Sequence, residues 1–145
     1  MKTLTPIILL LLISAAAQAS PLGVWKTIDD ASQQATAMVR IVEREGVLVG
    51  EITEVLDPKA DVDAVCQLCT DERKNAPILG LTIIRNVAWN GKAGGPWDGG
   101  DILDPNNGKV YRVRLELSDQ GRKLEVRGYL GRPMFGRTQV WQRVE

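Results

Sequence analysis

The most reactive side chains of this chain are two cysteines three positions apart, Cys66 and Cys69, and its 145 residues include no His. Without imidazole there is no Ser-His-Asp or Cys-His nucleophile and no His-ligated zinc, copper or non-haem iron. Beyond residue 19 the only serines are Ser20, Ser32 and Ser118, none in a nucleophile-elbow setting. Any enzyme chemistry would therefore fall to carboxylates, Lys, Tyr or the two thiols. A Cys pair in an oxidising compartment favours a disulfide, here one that would tie down an irregular loop. Redox cycling would want the βαβ context of a thioredoxin-like motif, which is missing. Zinc would need two more ligands, which in this stretch means carboxylates such as Asp61, Asp63 or Asp71, or a second chain. The structural disulfide is the expected use.

Carboxylates form two groups. Asp57, Asp61, Asp63, Asp71 and Glu72 lack the Asp-x-Asp-x-Asp-Gly register of an EF-hand loop, so a solvated loop is the expected state. Asp98, Asp101 and Asp104 contain the pair that glycoside hydrolysis would require. Asp98 and Asp101 have opposite parity on a regular strand, although a bulge at Gly99-Gly100 could bring them together. Turn capping explains them as well, so no catalytic residue is assigned. Binding residues are easier to nominate. The chain has only seven aromatic side chains, four of them Trp. Arg127 and Tyr129 share one strand face, and Gln139, Trp141 and Arg143 share another. With Trp25, the residues Arg127, Tyr129, Trp141 and Arg143 are the candidate lining of a ligand site. No cofactor and no metal is expected.

These residues must be positioned by something. Lys2, the apolar run Ile7-Ile8-Leu9-Leu10-Leu11-Leu12-Ile13 and the small-x-small sequence Ala17-Gln18-Ala19 predict a secretory signal over 1–19. The stretch from Leu4 to Ala17 is too short for a membrane anchor, which needs roughly 20 apolar residues, and is interrupted by Pro6. That leaves 20–145 as a single domain, exported to the periplasm or beyond, with no membrane span after signal removal. Without Lys2, 17 basic side chains face 18 acidic ones, with no like-charge block, so no nucleic-acid surface is expected.

Within that domain a first strand is expected over 20–28, entered through Gly23, and alternation over 35–42 and 47–55 around Glu43-Arg44-Glu45-Gly46 predicts an antiparallel hairpin, with a bend at Gly50. Residues 57–77 have no period and hold both cysteines. Strands are expected over 78–87, with Leu79, Leu81 and Ile83 in phase, and over 97–103. Across Asp104-Pro105-Asn106-Asn107-Gly108 follows 109–117, with Tyr111, Val113, Leu115 and Leu117 inward. Residues 123–130, with Leu124, Val126 and Leu130 on one face, and 137–144 complete the set. About eight strands, short connections and no helix of globular length predict an all-β fold. A small antiparallel meander barrel covers the apolar face without leaving edges.

The pieces add up to a family. Gly23-Val24-Trp25-Lys26-Thr27-Ile28-Asp29-Asp30 resembles the opening of the bacterial exported family known as domain of unknown function 2147. So do Leu56-Asp57-Pro58-Lys59-Ala60, the Cys66/Cys69 pair and Pro77-Ile78-Leu79-Gly80-Leu81. Gly99-Gly100-Asp101-Ile102-Leu103-Asp104-Pro105, Val126-Arg127-Gly128-Tyr129-Leu130-Gly131 and Gly136-Arg137-Thr138-Gln139 continue the match. The resemblance implies an exported β domain and brings no activity with it. Gly23-x-Trp25 with Arg143 is similar to lipocalin-like (calycin) barrels, where an Arg packs over the Trp and closes one end; by analogy it implies a ligand cavity. The expected function is a non-enzymatic envelope binding module, taking a small amphiphilic ligand or an envelope protein. The alternatives are a carboxylate-dependent enzyme acting on an envelope polymer and a redox role for Cys66 and Cys69.

Overall fold

The computed structural model describes residues 19–93 and 95–144. The secretory signal expected over 1–19 therefore lies, but for Ala19, outside the described residues. Eight strands follow one another as β1 Gly23–Ile28, β2 Ala35–Arg44, β3 Val47–Val55, β4 Thr82–Trp89, β5 Trp97–Asp104, β6 Lys109–Ser118, β7 Lys123–Tyr129 and β8 Gly136–Arg143. Each pairs antiparallel with its neighbours in sequence order, and β8 returns to β1 to close a barrel. The one helical turn among the described residues is the 3-10 segment Asp119–Gly121, so the all-β meander barrel expected from the sequence is the fold.

Alternation explains most of the register. Tyr111, Val113 and Leu115 of β6 stand opposite Ile102, Gly100 and Trp97 of β5, and Leu115 and Leu117 face Val126 and Leu124 of β7. Gly50 supplies the expected irregularity in β3, where the pairing with β4 shifts on both sides of it. A Cβ at Gly50 would sit 3.0 Å from the Ile84 Cβ, so the missing side chain is what lets Ile84 fill the interior.

Two expectations are corrected. The strand predicted over 78–87 begins later, at Thr82; of the residues expected in phase, Leu81 and Ile83 are buried while Leu79 is half exposed, and Ile84 and Val87 are buried with them. Residues 78–81 are used instead to seal the preceding loop against β3: the Ile78 amide donates to Ala64 O (2.9 Å) and the Gly80 amide to Ile52 O (2.8 Å). Leu130, expected inward with Leu124 and Val126, lies past the end of β7 and is 62% exposed.

The barrel has two unlike halves. One end is filled by Trp25, Ile41, Leu48, Ile84, Val87, Trp97, Val113, Leu115 and Leu124, all buried in one cluster. Arg143 caps it. Its guanidinium carbon lies 4.2 Å from the Trp25 ring centroid. The same group donates to Gly121 O (2.7 Å), Leu22 O (2.8 Å) and Ser20 O (2.6 Å), while the Trp25 indole donates to Pro21 O (2.7 Å). One fork thus satisfies carbonyls of the entering chain and of the β6–β7 turn while stacking on the indole.

Arg143→Ala is expected to lower stability by about 3–5 kcal/mol, since hydrogen bonds to a charged group contribute about 1.5–3 kcal/mol each and the ring contact adds to them. Arg143→Lys, which keeps the charge without the planar fork, should recover less than about half of that loss. Urea unfolding of the two variants beside the parent measures both; a loss under about 1 kcal/mol for the Ala variant would remove the clamp from this account.

Candidate functional site

The opposite end is hollow. A cavity of about 930 Å³ opens among the β1–β2, β3–β4, β5–β6 and β7–β8 connections. Its depth is apolar, walled by Val39, Ile52, Ile83, Ile102, Val126 and Trp141, and its rim is polar, with Asp29, Asp57, Asp61, Asp104, Asn107 and Arg137. Tyr111 and Gln139 line it as well. The Gln139 side chain accepts the Trp141 indole N–H (3.1 Å), and the Asn107 amide donates to the Tyr111 hydroxyl (3.2 Å), so both aromatic groups are fixed by a partner. Apolar walls with a few directed polar groups are the usual anatomy of a small-molecule pocket.

The long β3–β4 connection forms one side of the mouth and is not structureless. Cys66 and Cys69 are disulfide-bonded, with Cα atoms 5.4 Å apart, and both are fully buried. Around them the Cys66 amide donates to Ala76 O and the Asn75 amide to Cys66 O, each at 2.8 Å, within an antiparallel bridge between Val65 and Pro77. This small ring docks on the β5–β6 turn: a Cβ at Gly108, whose φ is +73°, would lie 1.9 Å from Leu68 O, so only glycine permits the approach. From it Ala60, Asp61, Ala64 and Ile78 reach the cavity wall.

A buried guanidinium that sequence reasoning missed pins the same loop to the barrel. Arg73 donates to Thr82 O (2.8 Å) and grips Asp71 through Nε and Nη2 (2.6 Å for the latter). Arg73 holds the Asp71 carboxyl at about 2, well below its ordinary value, and Arg85 assists from 3.8 Å. Burial alone would lower Arg85, but its ion pairs with Asp101 (3.3 Å) and Glu72 (2.6 Å), with Asp71 nearby, outweigh that and raise it. An Arg in an aperiodic stretch leaves no pattern to read; the neighbouring Asp71 is the only hint.

The candidate lining residues are separated by the fold. Trp141 and Tyr129 line the cavity. Trp25 and Arg143 form the cap at the far end. Arg127 is spent on the β7–β8 connection, donating to Pro133 O (2.5 Å) and Thr138 Oγ1 (2.8 Å). That connection brings Leu130 and Phe135, both largely exposed, to the rim. Arg137, not singled out from the sequence, shares the parity of Gln139 and Trp141, which was the signal available for it. The carboxylates considered for hydrolysis go to different partners: Asp98 lies 3.8 Å from Arg114, Asp101 is held by Arg85, and Asp104 accepts the Asn106 amide (2.9 Å).

Replacing both cysteines with Ala should cost about 2 kcal/mol for the lost cross-link plus the packing of two buried sulfurs. Replacing them with Ser should cost about 1–2 kcal/mol more, because two hydroxyls would be buried there. Alkylation before and after reduction, followed by urea unfolding, tests the bond and the order of the variants.

A second expectation follows from Asp71. Its lowered pKa contributes stability that is complete above the unfolded value near 3.8 and is lost as pH falls toward about 2. Asp71→Asn should be less stable at pH 6, and its stability should change less than the parent's between those values; unfolding midpoints measured across that window decide it.

A family model described as an uncharacterized protein conserved in bacteria (DUF2147) matches residues 23–143. No curated protein matches the chain. Among solved structures, a Helicobacter pylori protein described as belonging to the lipocalin family is similar at 19% identity with a TM-score of 0.74, covering 88% of this chain and 84% of that one. At that identity the likeness is one of fold. Both resemblances drawn from the sequence, to the family and to a lipocalin-like barrel, are borne out.

Proposed function

The chain belongs to this family of uncharacterised bacterial proteins, and from that premise we propose that it is a non-enzymatic binding module that takes a small amphiphilic ligand into the open half of its barrel. The observation that carries the reading is the 930 Å³ cavity, open at one end and apolar in its depth. A lipocalin-like fold supports the same reading, since such barrels can enclose a ligand between their strands. In this proposal the apolar body of the ligand lies against Trp141, Ile52 and Val126, and its polar part stays among the rim residues. Tyr129 and Trp141 make contact, Arg127 holds the loop that covers the ligand, and Trp25 with Arg143 keeps the far end shut. Export through a cleaved signal over 1–19 would place the module in the envelope or outside the cell.

An envelope protein as the partner is a second reading, favoured by one observation. Leu130, Met134 and Phe135 stand exposed within one short connection at the rim, a larger apolar display than scattered single residues make.

Titration of the domain with an apolar fluorescent probe distinguishes the two. Trp141 is the Trp that lines the cavity, so binding inside should perturb its emission. Trp141→Ala should then weaken the probe by about tenfold or more, a loss of roughly 1.4 kcal/mol, without unfolding the domain. Probe binding that ignores Trp141→Ala but is lost in Phe135→Asp would move the function to the rim.

A further inference from the structure

The charges around the cavity are not balanced. Four carboxylates line it, Asp29, Asp57, Asp61 and Asp104, against one cation, Arg137. That cation is already committed. Its Nε donates to Asp30 Oδ2 (2.7 Å) and its Nη2 to Asp30 Oδ1. The hydrogen bond to Asp30 raises the Arg137 pKa, and the fields of Asp29 and Asp104 add to it. An anionic head group arriving at the rim would have to displace Asp30 from Arg137 and would meet four further negative charges.

The lining carboxylates also keep acceptor capacity. Asp57 Oδ1 takes the Lys59 amide, Asp61 Oδ1 the Asp63 amide and Asp104 Oδ1 the Asn106 amide, each at 2.9 Å. Among the described residues the Oδ2 atoms of these three have no protein donor. Asp57 and Asp61 come from the β3–β4 connection and Asp104 from the end of β5, and the Gly108–Leu68 approach locks that connection to the turn after β5, so their disposition about the opening is fixed by the fold. The same cavity is lined by the aromatic side chains Tyr111, Tyr129 and Phe135, which offer a cation a further attractive face. Low-dielectric walls concentrate the field of such charges toward the opening.

We infer that the ligand is a cationic amphiphile: an apolar body in the barrel and an ammonium or guanidinium group among Asp57, Asp61 and Asp104 at the rim. The inference rests on the proposed function, since the cavity is the site and the carboxylates set its charge preference.

A matched series separates the two. The domain is titrated at pH 7, below micelle concentrations, with dodecyltrimethylammonium, a neutral dodecyl glyceryl ether and dodecanoate, each competing with the apolar fluorescent probe. The ammonium compound should bind about tenfold tighter than the neutral one and dodecanoate weakest, with the spread shrinking as salt rises toward about 0.5 M. In a triple variant, Asp57→Asn, Asp61→Asn and Asp104→Asn, the amide oxygens can still cap the turns, and the neutral compound titrated on the same variant is the reference for any change in the rim itself. The advantage of the ammonium compound should fall to about threefold or less. Dodecanoate binding as well as or better than the ammonium compound would overturn the cationic assignment and leave the cavity-binding reading intact. Displacement of the probe by none of the three would overturn both.

Discussion

A sheet of eight strands can close only if its first and last edges find each other, and here that closure is held by Arg143 on Trp25. The seam pairs β1 with β8 at Trp25↔Arg143 and Lys26↔Gln142, whereas β7 and β8 pair along their whole shared length. One further backbone bond, from the Val144 amide to Val24 O (2.8 Å), extends it, and so short a ladder leaves much of the closure to side chains. The guanidinium supplies them with donors to three carbonyls and a face to the indole, and neither a point charge nor an apolar residue would do both. Everything inward of it, from Ile41 to Leu124, is packed against that floor.

Closing one end firmly is what allows the other to stay hollow. The packed half contributes the apolar burial that stabilises a domain of this size. The open half leaves part of its apolar surface uncovered, a state tolerated because the surrounding loops are independently fastened. The β3–β4 connection has its disulfide and its Arg73 anchor; the β7–β8 connection has Arg127. Arginines that looked from the sequence like lining for a pocket are instead the fasteners that keep one open.

Strand order and strand number were legible because alternation and Asn-Gly or Gly-rich turns mark antiparallel neighbours directly. The Trp25–Arg143 pair was legible too, by its likeness to a known barrel end. What could not be read was how far along the axis each inward residue sits. Trp25 and Trp141 both have inward parity, yet one is floor and the other cavity wall, because parity gives the face and not the height. Residues 78–81 deceived for a related reason. Their apolar alternation is real, but it serves to seal the loop against β3 rather than to extend β4. The acidic residues of the rim were visible as a composition; their gathering around one opening depends on Gly108 meeting Leu68, a contact between segments 40 positions apart.

The short seam has a mechanical consequence. Past Lys26 the β1–β8 pairing stops, and toward the rim Asp30 of the β1–β2 connection meets Arg137 of β8 in an ion pair exposed to water. Exposed ion pairs of this kind are weak. The barrel is therefore stiff at the clamped end and compliant along one line at the other, like a rolled card gripped at its base. Amide exchange along β1 and β8 should record this as a gradient, slowest beside Trp25 and Arg143 and quickening toward Ile28 and Gly136. The aperture can thus widen along a single slit while the floor, and the fold with it, stays whole.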